Sequence, residues 1–216
     1  KRDRVMKILC APVGPLQANC YLVWDDERRA CAVDPGGEAE RLARLVEREG
    51  LTLESILVTH GHFDHVEGVR GLAEATGARV YCSAIVAQTL NGTEGCAATG
   101  HPIPALGPEV IEVVDEDSEL RVGALPVAIV ATPGHSPGDL TFEIGGHLFC
   151  GDLLFYRSVG RTDFPGGDFA ELLASVGRLA ARYPDTTPVH PGHMQSTTLG
   201  DELAHNPFLS GLKPHG

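Results

Sequence analysis

Histidines fall in three turns of similar sequence context along this chain. Of the ten histidines, five follow an apolar run and lie in a turn that contains glycine. Three are packed into one short stretch, as His60, His62 and His65, and the others are His135 and His193. Strand ends present ligand side chains on short, firmly held loops. The repeated context therefore indicates a metal site assembled from several strand ends.

The stretch from His60 to His65 also contains Asp64, so four ligand-type side chains fall within six residues. Alternate side chains of a tight turn point to the same side. We therefore expect His60 and His62 to hold one ion, and Asp64 and His65 to face a second. Neutral imidazole and carboxylate groups suit zinc, iron or manganese better than calcium or magnesium. A lone histidine is usually a surface residue, but this spacing favours a metal site over that interpretation.

Asp152 is a weaker signal by itself, because Gly-Asp pairs commonly form turns. It follows the apolar residues 148–150 and Gly151, and it lies in the sequence between His135 and His193. A carboxylate can bridge two cations and lower the repulsion between ions held roughly 3.5–4 Å apart. We therefore predict that Asp152 joins the two ions.

Strand-like and helix-like patterns alternate around these loops and must position them. Strands are predicted over 6–12, 19–25, 29–34, 55–59, 78–82, 109–114, 119–122, 126–131, 139–150 and 186–190. Helices are predicted over 38–49, 66–76, 168–182 and 199–205. Residues 91–107 are rich in Gly, Thr and Pro and are predicted to form a long loop, a feature that is often functional. The pattern predicts two mixed sheets faced by helices.

The composition is ordinary for a globular protein, with 43% hydrophobic and 21% charged residues. The 216 residues are expected to form a single domain over 1–216. The net charge of −12 repels phosphate backbones and acidic membrane surfaces, so neither nucleic acid nor a membrane is an expected partner. No apolar run approaches the ~18 residues of a membrane span. Oligomeric state stays open.

The start of the chain is basic and lacks the apolar centre and cleavage site of a signal peptide. Because the first residue is not Met, residues 1–5 are expected to be a cloning remnant or a processed end. The six cysteines form no C-x-x-C pair, and most fall in apolar strand-like runs. We expect buried, reduced thiols and a cytoplasmic location.

These motifs resemble those of the metallo-β-lactamase superfamily, and within it the glyoxalase II group of thioester hydrolases. The resemblance covers nearly the whole chain and is carried by THGHFDH (59–65), TPGHSPGD (132–139), GDLLF (151–155), GRTDFPGGD (160–168), PGH (191–193), HNPFL (205–209) and PVGPLQANCYLV (12–23). THGHFDH is specific for the superfamily. GRTDFPGGD and HNPFL are more specific for the glyoxalase II and persulfide dioxygenase branch.

The resemblance implies a fold and a set of ligands. The fold would be a four-layer αβ/βα sandwich, in which two mixed β-sheets are flanked by helices. Two divalent metal ions would be bound, zinc first among them and iron or manganese as the alternatives. The first would be held by His60, His62 and His135, and the second by Asp64, His65 and His193. Asp152 would bridge them, and Asp64 and Asp152 would be the catalytic carboxylates.

The implied activity is metal-dependent hydrolysis of a hydroxyacyl thioester such as S-D-lactoylglutathione by a metal-bridging hydroxide. Asp64 would orient the water or accept its proton. One alternative is a persulfide dioxygenase with a single iron held by His60, His135 and Asp152. Another is a lactonase or a different hydrolase of the same fold. Only 23 residues follow His193, too few for the helical domain that grips glutathione in full-length glyoxalase II enzymes, so the thiol carrier stays open.

Several residues near the ligands are candidates for supporting roles. Tyr156, Arg157 and Arg161 are candidates for substrate contact. An ion pair between Arg161 and Asp163 is expected to hold the loop 160–168 over the site. His190, close to the last ligand in sequence, is a candidate for a hydrogen bond to a ligand.

Overall fold

The computed structural model describes residues 6–92, 102–103 and 105–212. In chain order, its strands are β1 (Lys7–Val13), β2 (Ala18–Trp24), β3 (Arg29–Val33), β4 (Thr52–Leu57), β5 (Arg79–Cys82), β6 (Ile111–Val113), β7 (Leu120–Val122), β8 (Leu125–Ala131), β9 (Leu140–Ile144), β10 (His147–Gly151), β11 (Leu154–Phe155), β12 (Ser158–Val159), β13 (Pro188–Pro191) and β14 (Thr197–Thr198). Its helices are α1 (Ala39–Arg48), α2 (Phe63–Val66), α3 (Val69–Thr76), α4 (Ala84–Leu90), α5 (Phe169–Arg182) and α6 (Leu199–His205), with a 3-10 turn at Pro207–Leu209.

Two sheets of mixed direction carry the fold. The first has the strand order β1-β2-β3-β4-β5-β6, and its pairs are antiparallel up to β3 and parallel from β3 to β6. The second has the order β14-β13-β10-β9-β8-β7, with β10 and β13 parallel. α1 connects β3 to β4, and α5 lies between β12 and β13 in the sequence.

Apolar side chains fill three layers between these elements. Leu22, Leu42, Ile56 and Leu72 belong to the cluster between α1, α3 and the first sheet. Val23, Leu57 and Phe142 belong to the cluster between the two sheets, and Leu148, Leu172 and Val176 to the cluster beneath α5. Alternation along β2 explains this division, because Leu22 faces the helices while Val23 faces the other sheet. The predicted αβ/βα sandwich is confirmed.

Some boundaries differ from the sequence prediction. The run 139–150 is two strands, β9 and β10, because Gly145 and Gly146 adopt positive φ angles of 59° and 86° and form a tight hairpin. α4 was not predicted, and its N-cap Ser83 accepts a hydrogen bond from the amide of Val86. Most of the predicted loop 91–107 lies outside the described residues.

The chain also turns helical earlier than predicted after β4. β4 spans Thr52–Leu57 rather than 55–59, and α2 begins at Phe63, before the predicted helix 66–76. The predicted helices over 168–182 and 199–205 are confirmed as α5 and α6. The N-cap Asp168 fixes the start of α5, since its side chain accepts a hydrogen bond from the amide of Glu171.

The expectation for the cysteines is confirmed for four of them. Cys20, Cys31, Cys82 and Cys150 are free and buried. It is wrong for Cys10, which is free but exposed because β1 is an edge strand. Cys96 lies outside the described residues. Within the described ranges, no helix is both long and apolar enough to cross a membrane.

Phe142 should contribute strongly to the stability of the inter-sheet core. Phe142 is fully buried between the sheets, so Phe142→Ala should lower the free energy of unfolding by about 3–5 kcal/mol through lost burial and a residual cavity. Urea denaturation followed by circular dichroism measures this loss. Phe169→Ala is the matched control, because Phe169 is exposed on α5. Equal losses in the two variants would contradict the assignment of Phe142 to the core.

Candidate metal centre

The chain between β4 and α2 bends so that two pairs of ligand side chains face different ways. β4 ends at Leu57, His60 lies in the loop that follows, and His62 is the N-cap of α2. Asp64 and His65 lie within α2. All four of these side chains are buried. The local fold thus presents one pair before the helix and one pair from its first turn.

Three strand ends of the second sheet supply the remaining candidates. β8, β10 and β13 run in the same direction, because β9 is antiparallel to its two neighbours and β13 is parallel to β10. Their carboxyl ends therefore meet at one edge of the sheet. His135 follows β8, Asp152 follows β10 and His193 follows β13. His135 and Asp152 are buried, whereas 23% of the His193 side chain is exposed.

The structure brings all seven predicted ligands together. Three groups have their ligand atoms within 4.8 Å of one another. Two are the predicted ones, His60 with His62 and His135, and Asp64 with His65 and His193, and the third joins His60 and His65 with Asp34. His135 Nε2 lies 2.8 Å from His62 Nδ1, and His193 Nε2 lies 3.1 Å from Asp64 Oδ2.

Asp152 lies between the two groups. Its Oδ1 is 3.3 Å from His65 Nε2, and its Oδ2 is 3.6 Å from His135 Nε2 and 3.7 Å from His193 Nε2. One carboxylate therefore faces a histidine of each group. This is the geometry that a bridging ligand requires.

Three polar atoms at the centre have no hydrogen-bond partner within the described chain although they are buried. They are His60 Nε2, His65 Nε2 and Asp152 Oδ1. Burying such groups costs free energy unless they are paired or coordinate a metal. Imidazole nitrogen and carboxylate oxygen are ligands of zinc and of other transition metals. The residues present therefore fit divalent cations.

The pKa values of most of these groups favour the protonation states that bind a metal. Burial, together with neighbouring histidines, holds the pKa of His60 well below its ordinary value and lowers the pKa of His62 to about 4. Burial alone would raise the pKa of Asp152, but the facing His65 and His135 keep it far below its ordinary value. Neutral imidazoles and an ionised carboxylate are the protonation states that bind a cation.

His65 differs from the other histidines. Burial alone would lower its pKa, but Asp152 and Asp34 face its ring and raise the pKa well above the ordinary value. A protonated imidazole cannot donate its lone pair to a metal, so a cation at this position would compete with a proton for the ring nitrogen of His65.

Asp34 is a functional residue that the sequence analysis missed. Its Oδ1 accepts a hydrogen bond from the Thr59 amide at 2.7 Å, and its Oδ2 accepts one from Thr59 Oγ1 at 2.6 Å. The same Oδ2 lies 3.0 Å from His65 Nδ1, which turns Nε2 toward Asp152. Thr59 Oγ1 also lies 3.0 Å from His60 Nδ1. One buried carboxylate therefore orients two candidate ligands.

A signal for Asp34 was present in the sequence. Asp34 follows the apolar run of β3 and precedes Pro35 and a Gly-Gly pair, and Asp152 likewise follows an apolar run at a turn with glycine. It adopts a left-handed conformation, with φ 50°. Gly36 in this turn is required by close packing, because a Cβ there would lie 1.5 Å from the Asp64 carbonyl oxygen.

The loop that carries His135 is fixed at two points. His135 Nδ1 lies 2.7 Å from the carbonyl oxygen of Arg161, which directs Nε2 toward the other ligands. Asp139, also missed by the sequence analysis, accepts hydrogen bonds from the amide and the hydroxyl of Ser136. Burial raises the pKa of the Asp139 carboxyl to about 8.

The candidates for substrate contact have different surroundings. The expected ion pair is present, since Arg161 Nε donates to Asp163 Oδ1 at 2.6 Å. The Arg161 guanidinium lies 4.1 Å from the centre of the Phe164 ring, and that ring lies 5.4 Å from the His62 ring. Arg161 is therefore an exposed cation beside the first ligand group.

Arg157 is bound to the tail of the chain. The Arg157 guanidinium binds the side chains of Asp201 and Glu202 at 2.9 Å each and stacks over the ring of Tyr156. Tyr156 is partly exposed. These contacts favour a structural role for Arg157 over the predicted substrate contact.

The prediction that His190 supports a ligand is wrong. Within the part of the chain that the structure describes, its Nε2 lies 2.9 Å from His147 Nδ1 and its Nδ1 lies 2.8 Å from Ser196 Oγ. Its ring also stacks on Phe149. The half-buried side chain therefore packs against His147 and Phe149 of the neighbouring strand β10.

Known proteins are similar to this chain over almost their whole length. The model of the Metallo-beta-lactamase superfamily matches residues 13–193. Hydroxyacylglutathione hydrolase GloC from Haemophilus influenzae is 37% identical over 95% of this chain and 99% of its own length. The crystal structure of BLEG-1 B3 metallo-beta-lactamase has a TM-score of 0.87 at 37% identity, over 96% of this chain and all of that one. TTHA1623 in a di-iron-bound form has a TM-score of 0.82 at 42% identity, over 93% and 100%.

Loss of the Asp34 carboxylate should weaken metal binding. Asp34→Asn cannot accept from both Thr59 donors and from His65 at once, so His65 loses its fixed orientation. We expect a fall in metal affinity of roughly 10–100-fold, as for other groups that orient ligands. Metal content after dialysis against a weak chelator measures it. Asp115→Asn, at an exposed carboxylate, should keep the wild-type content, and equal retention by both variants would refute the role of Asp34.

Proposed function

Because the chain belongs to the metallo-beta-lactamase superfamily, we propose that this metal-dependent hydrolase cleaves hydroxyacyl thioesters such as S-D-lactoylglutathione. The observation that carries the proposal is the position of Asp152 between two complete ligand groups. The likeness to a protein named hydroxyacylglutathione hydrolase, over nearly the full length of both chains, supports the substrate class. We propose zinc as the metal, and the di-iron form of TTHA1623 makes iron its main competitor.

The ligand roles follow from the two groups. His60, His62 and His135 would hold one ion, Asp64, His65 and His193 the other, and Asp152 would contact both. Two bound divalent cations supply a water of lowered pKa and polarise the substrate carbonyl. A thiol has a pKa near ~8.5, so a thiolate leaves without a general acid. The thioester bond therefore suits a centre built from metal ligands.

The protein side chains set orientation and charge at this centre. Burial alone would raise the pKa of Asp64, but His193 and His65 lower it, so the carboxylate is ionised. We assign Asp64 to orienting the attacking water through its Oδ atoms. Asp34 and the Arg161 carbonyl hold the Nδ1 atoms of His65 and His135, which keeps both Nε2 atoms aimed at the centre.

Charge and thiol state support the remaining parts of the proposal. A net charge of −12 favours a small-molecule substrate over nucleic acid or a membrane surface. Four buried free thiols are compatible with a reducing compartment, and we propose a cytoplasmic location.

Hydrolysis of the thioester should require both bound metal and Asp152. Zinc-loaded protein should hydrolyse S-D-lactoylglutathione, and removal of the metal by a chelator should abolish turnover. Asp152→Ala should lower kcat/KM by more than about 100-fold, the upper range for groups that only orient ligands. Asp117→Ala, at an exposed carboxylate, is the control and should keep the wild-type rate. Turnover that survives chelation or the loss of Asp152 would contradict the proposal.

β-Lactam hydrolysis is the second candidate, because BLEG-1 B3 metallo-beta-lactamase shares this fold over its whole length. Comparison of kcat/KM for the thioester and for a panel of β-lactams and lactones separates these hydrolases. Oxygen uptake with a glutathione persulfide tests the iron-dependent alternative. A thioester kcat/KM below that of any of these substrates would overturn the substrate assignment.

Arg161 supplies the charge for substrate recognition in this proposal. Its guanidinium is exposed beside the first ligand group and is paired with Asp163, so a carboxylate of the thiol carrier would share the guanidinium with Asp163 or displace it. Arg161→Met should raise KM for S-D-lactoylglutathione by roughly tenfold with little change in kcat, as expected for one charge-assisted hydrogen bond. An uncharged thioester is the control substrate. A similar rise in KM for both substrates would argue against charge recognition.

A further inference from the structure

We infer that Asn19 is a positioning residue for the ligand His193, a role that rests on the proposed two-metal function. Asn19 lies on β2 of the first sheet and is 6% exposed. Its Nδ2 donates hydrogen bonds to the carbonyl oxygens of Pro191 at 3.0 Å and of Met194 at 2.8 Å. Its backbone amide donates to the carbonyl oxygen of Gly192 at 2.7 Å. Asn19 thus grips the backbone on both sides of His193.

Tyr21 reinforces this grip. Its hydroxyl donates a hydrogen bond to the Pro191 carbonyl oxygen at 2.7 Å, so that oxygen accepts two hydrogen bonds from β2. Both donors are buried, where a hydrogen bond is stronger than in water and fixes the geometry of the groups that it joins. The bonds run from the first sheet to a loop of the second sheet, and they join residues about 170 positions apart.

These hydrogen bonds connect the two sheets, and the second ligand group also takes its residues from both sheets. Asp64 and His65 follow β4 in the first sheet, whereas His193 follows β13 in the second. The 3.1 Å separation of His193 Nε2 and Asp64 Oδ2 therefore depends on how the sheets are held together. Asn19 belongs to the same sheet as β4, so it fixes His193 relative to Asp64 and His65.

The loop itself needs such a restraint. Met194 adopts a left-handed conformation with φ 68°, which is strained for a residue other than glycine. Gly192 packs so closely that a Cβ there would lie 2.3 Å from Asp152 Oδ1 and 2.6 Å from His65 Cε1. A small shift of the loop would therefore disturb the ligands that it faces. The bond from Asn19 to the Met194 carbonyl holds the strained residue in place.

The first ligand group provides an internal reference. His60, His62 and His135 accept none of the hydrogen bonds that Asn19 donates. Loss of the Asn19 amide should therefore weaken one zinc site and spare the other. A residue that only stabilises the fold would weaken both.

The test is a titration of metal-free protein with zinc in competition with a chromophoric chelator. Wild type should bind two zinc ions. Asn19→Leu removes the side-chain donors without adding charge and should weaken the binding of one ion by at least roughly tenfold, the size seen for other groups that orient ligands. Tyr21→Phe removes one of the four hydrogen bonds and should give a smaller loss in the same site, which keeps the test available if Asn19→Leu does not fold.

Asp25→Asn is the matched control. Asp25 lies just beyond the other end of β2, and its Oδ2 accepts a hydrogen bond across to the Ala124 amide at 2.9 Å. The variant should lower the melting temperature of the metal-free protein and leave both zinc affinities unchanged. His193→Ala provides a second reference, because Asn19→Leu should have no further effect on the single zinc that this variant retains.

The zinc affinities distinguish the role of Asn19 from the proposed two-metal function. Equal weakening of both sites, unchanged affinities in Asn19→Leu, or a further loss in the His193→Ala background would overturn the role of Asn19 alone. A wild-type protein that binds a single zinc ion would contradict the two-metal function and the role of Asn19 with it. Weakening of one site that disappears in the His193→Ala background would establish the inference.

Discussion

Burial of four histidines and two aspartates where the ends of two sheets meet is the constraint on which the rest of the structure depends. Ionisable groups are costly to bury unless they are paired or coordinate a metal. Here the rings of His60 and His62 are kept neutral, whereas Asp152 is kept ionised. Three of the central atoms lack a partner within the described chain. Divalent cations would satisfy these atoms and offset the cost of burying them.

Such a centre requires a scaffold that holds the loops of both sheets in fixed positions relative to one another. The three apolar layers fix the strands, and a small number of polar groups then fix the loops. Asp34 orients His65, the Arg161 carbonyl orients His135, and Asn19 grips the loop of His193. These groups bind the Nδ1 atoms of His65 and His135 and the backbone beside His193, so the Nε2 atoms of the three histidines stay available to the centre. The orientation of the candidate ligands therefore depends on hydrogen bonds made outside the centre itself.

The sequence pointed to the seven candidate ligands, because histidines spaced this closely after an apolar run seldom occur outside metal sites, and the structure places these residues together. Asp34 escaped notice since a single carboxylate before glycines also suits an ordinary turn. The role of Arg157 was not visible because its partners, Asp201 and Glu202, lie over 40 residues away. The hairpin of β9 and β10 was missed because strand-like residues lie on both sides of the turn, which only Gly145 and Gly146 mark. Local pattern thus identifies ligands and layers, whereas partners distant in sequence require the folded chain.

The most direct test of the account is anomalous diffraction from crystals of the zinc-loaded protein. The account predicts two zinc peaks, one among His60, His62 and His135, and the other among Asp64, His65 and His193, with Asp152 in contact with both. A single peak, or zinc bound away from these residues, would contradict the two-metal centre on which the proposed hydrolysis rests.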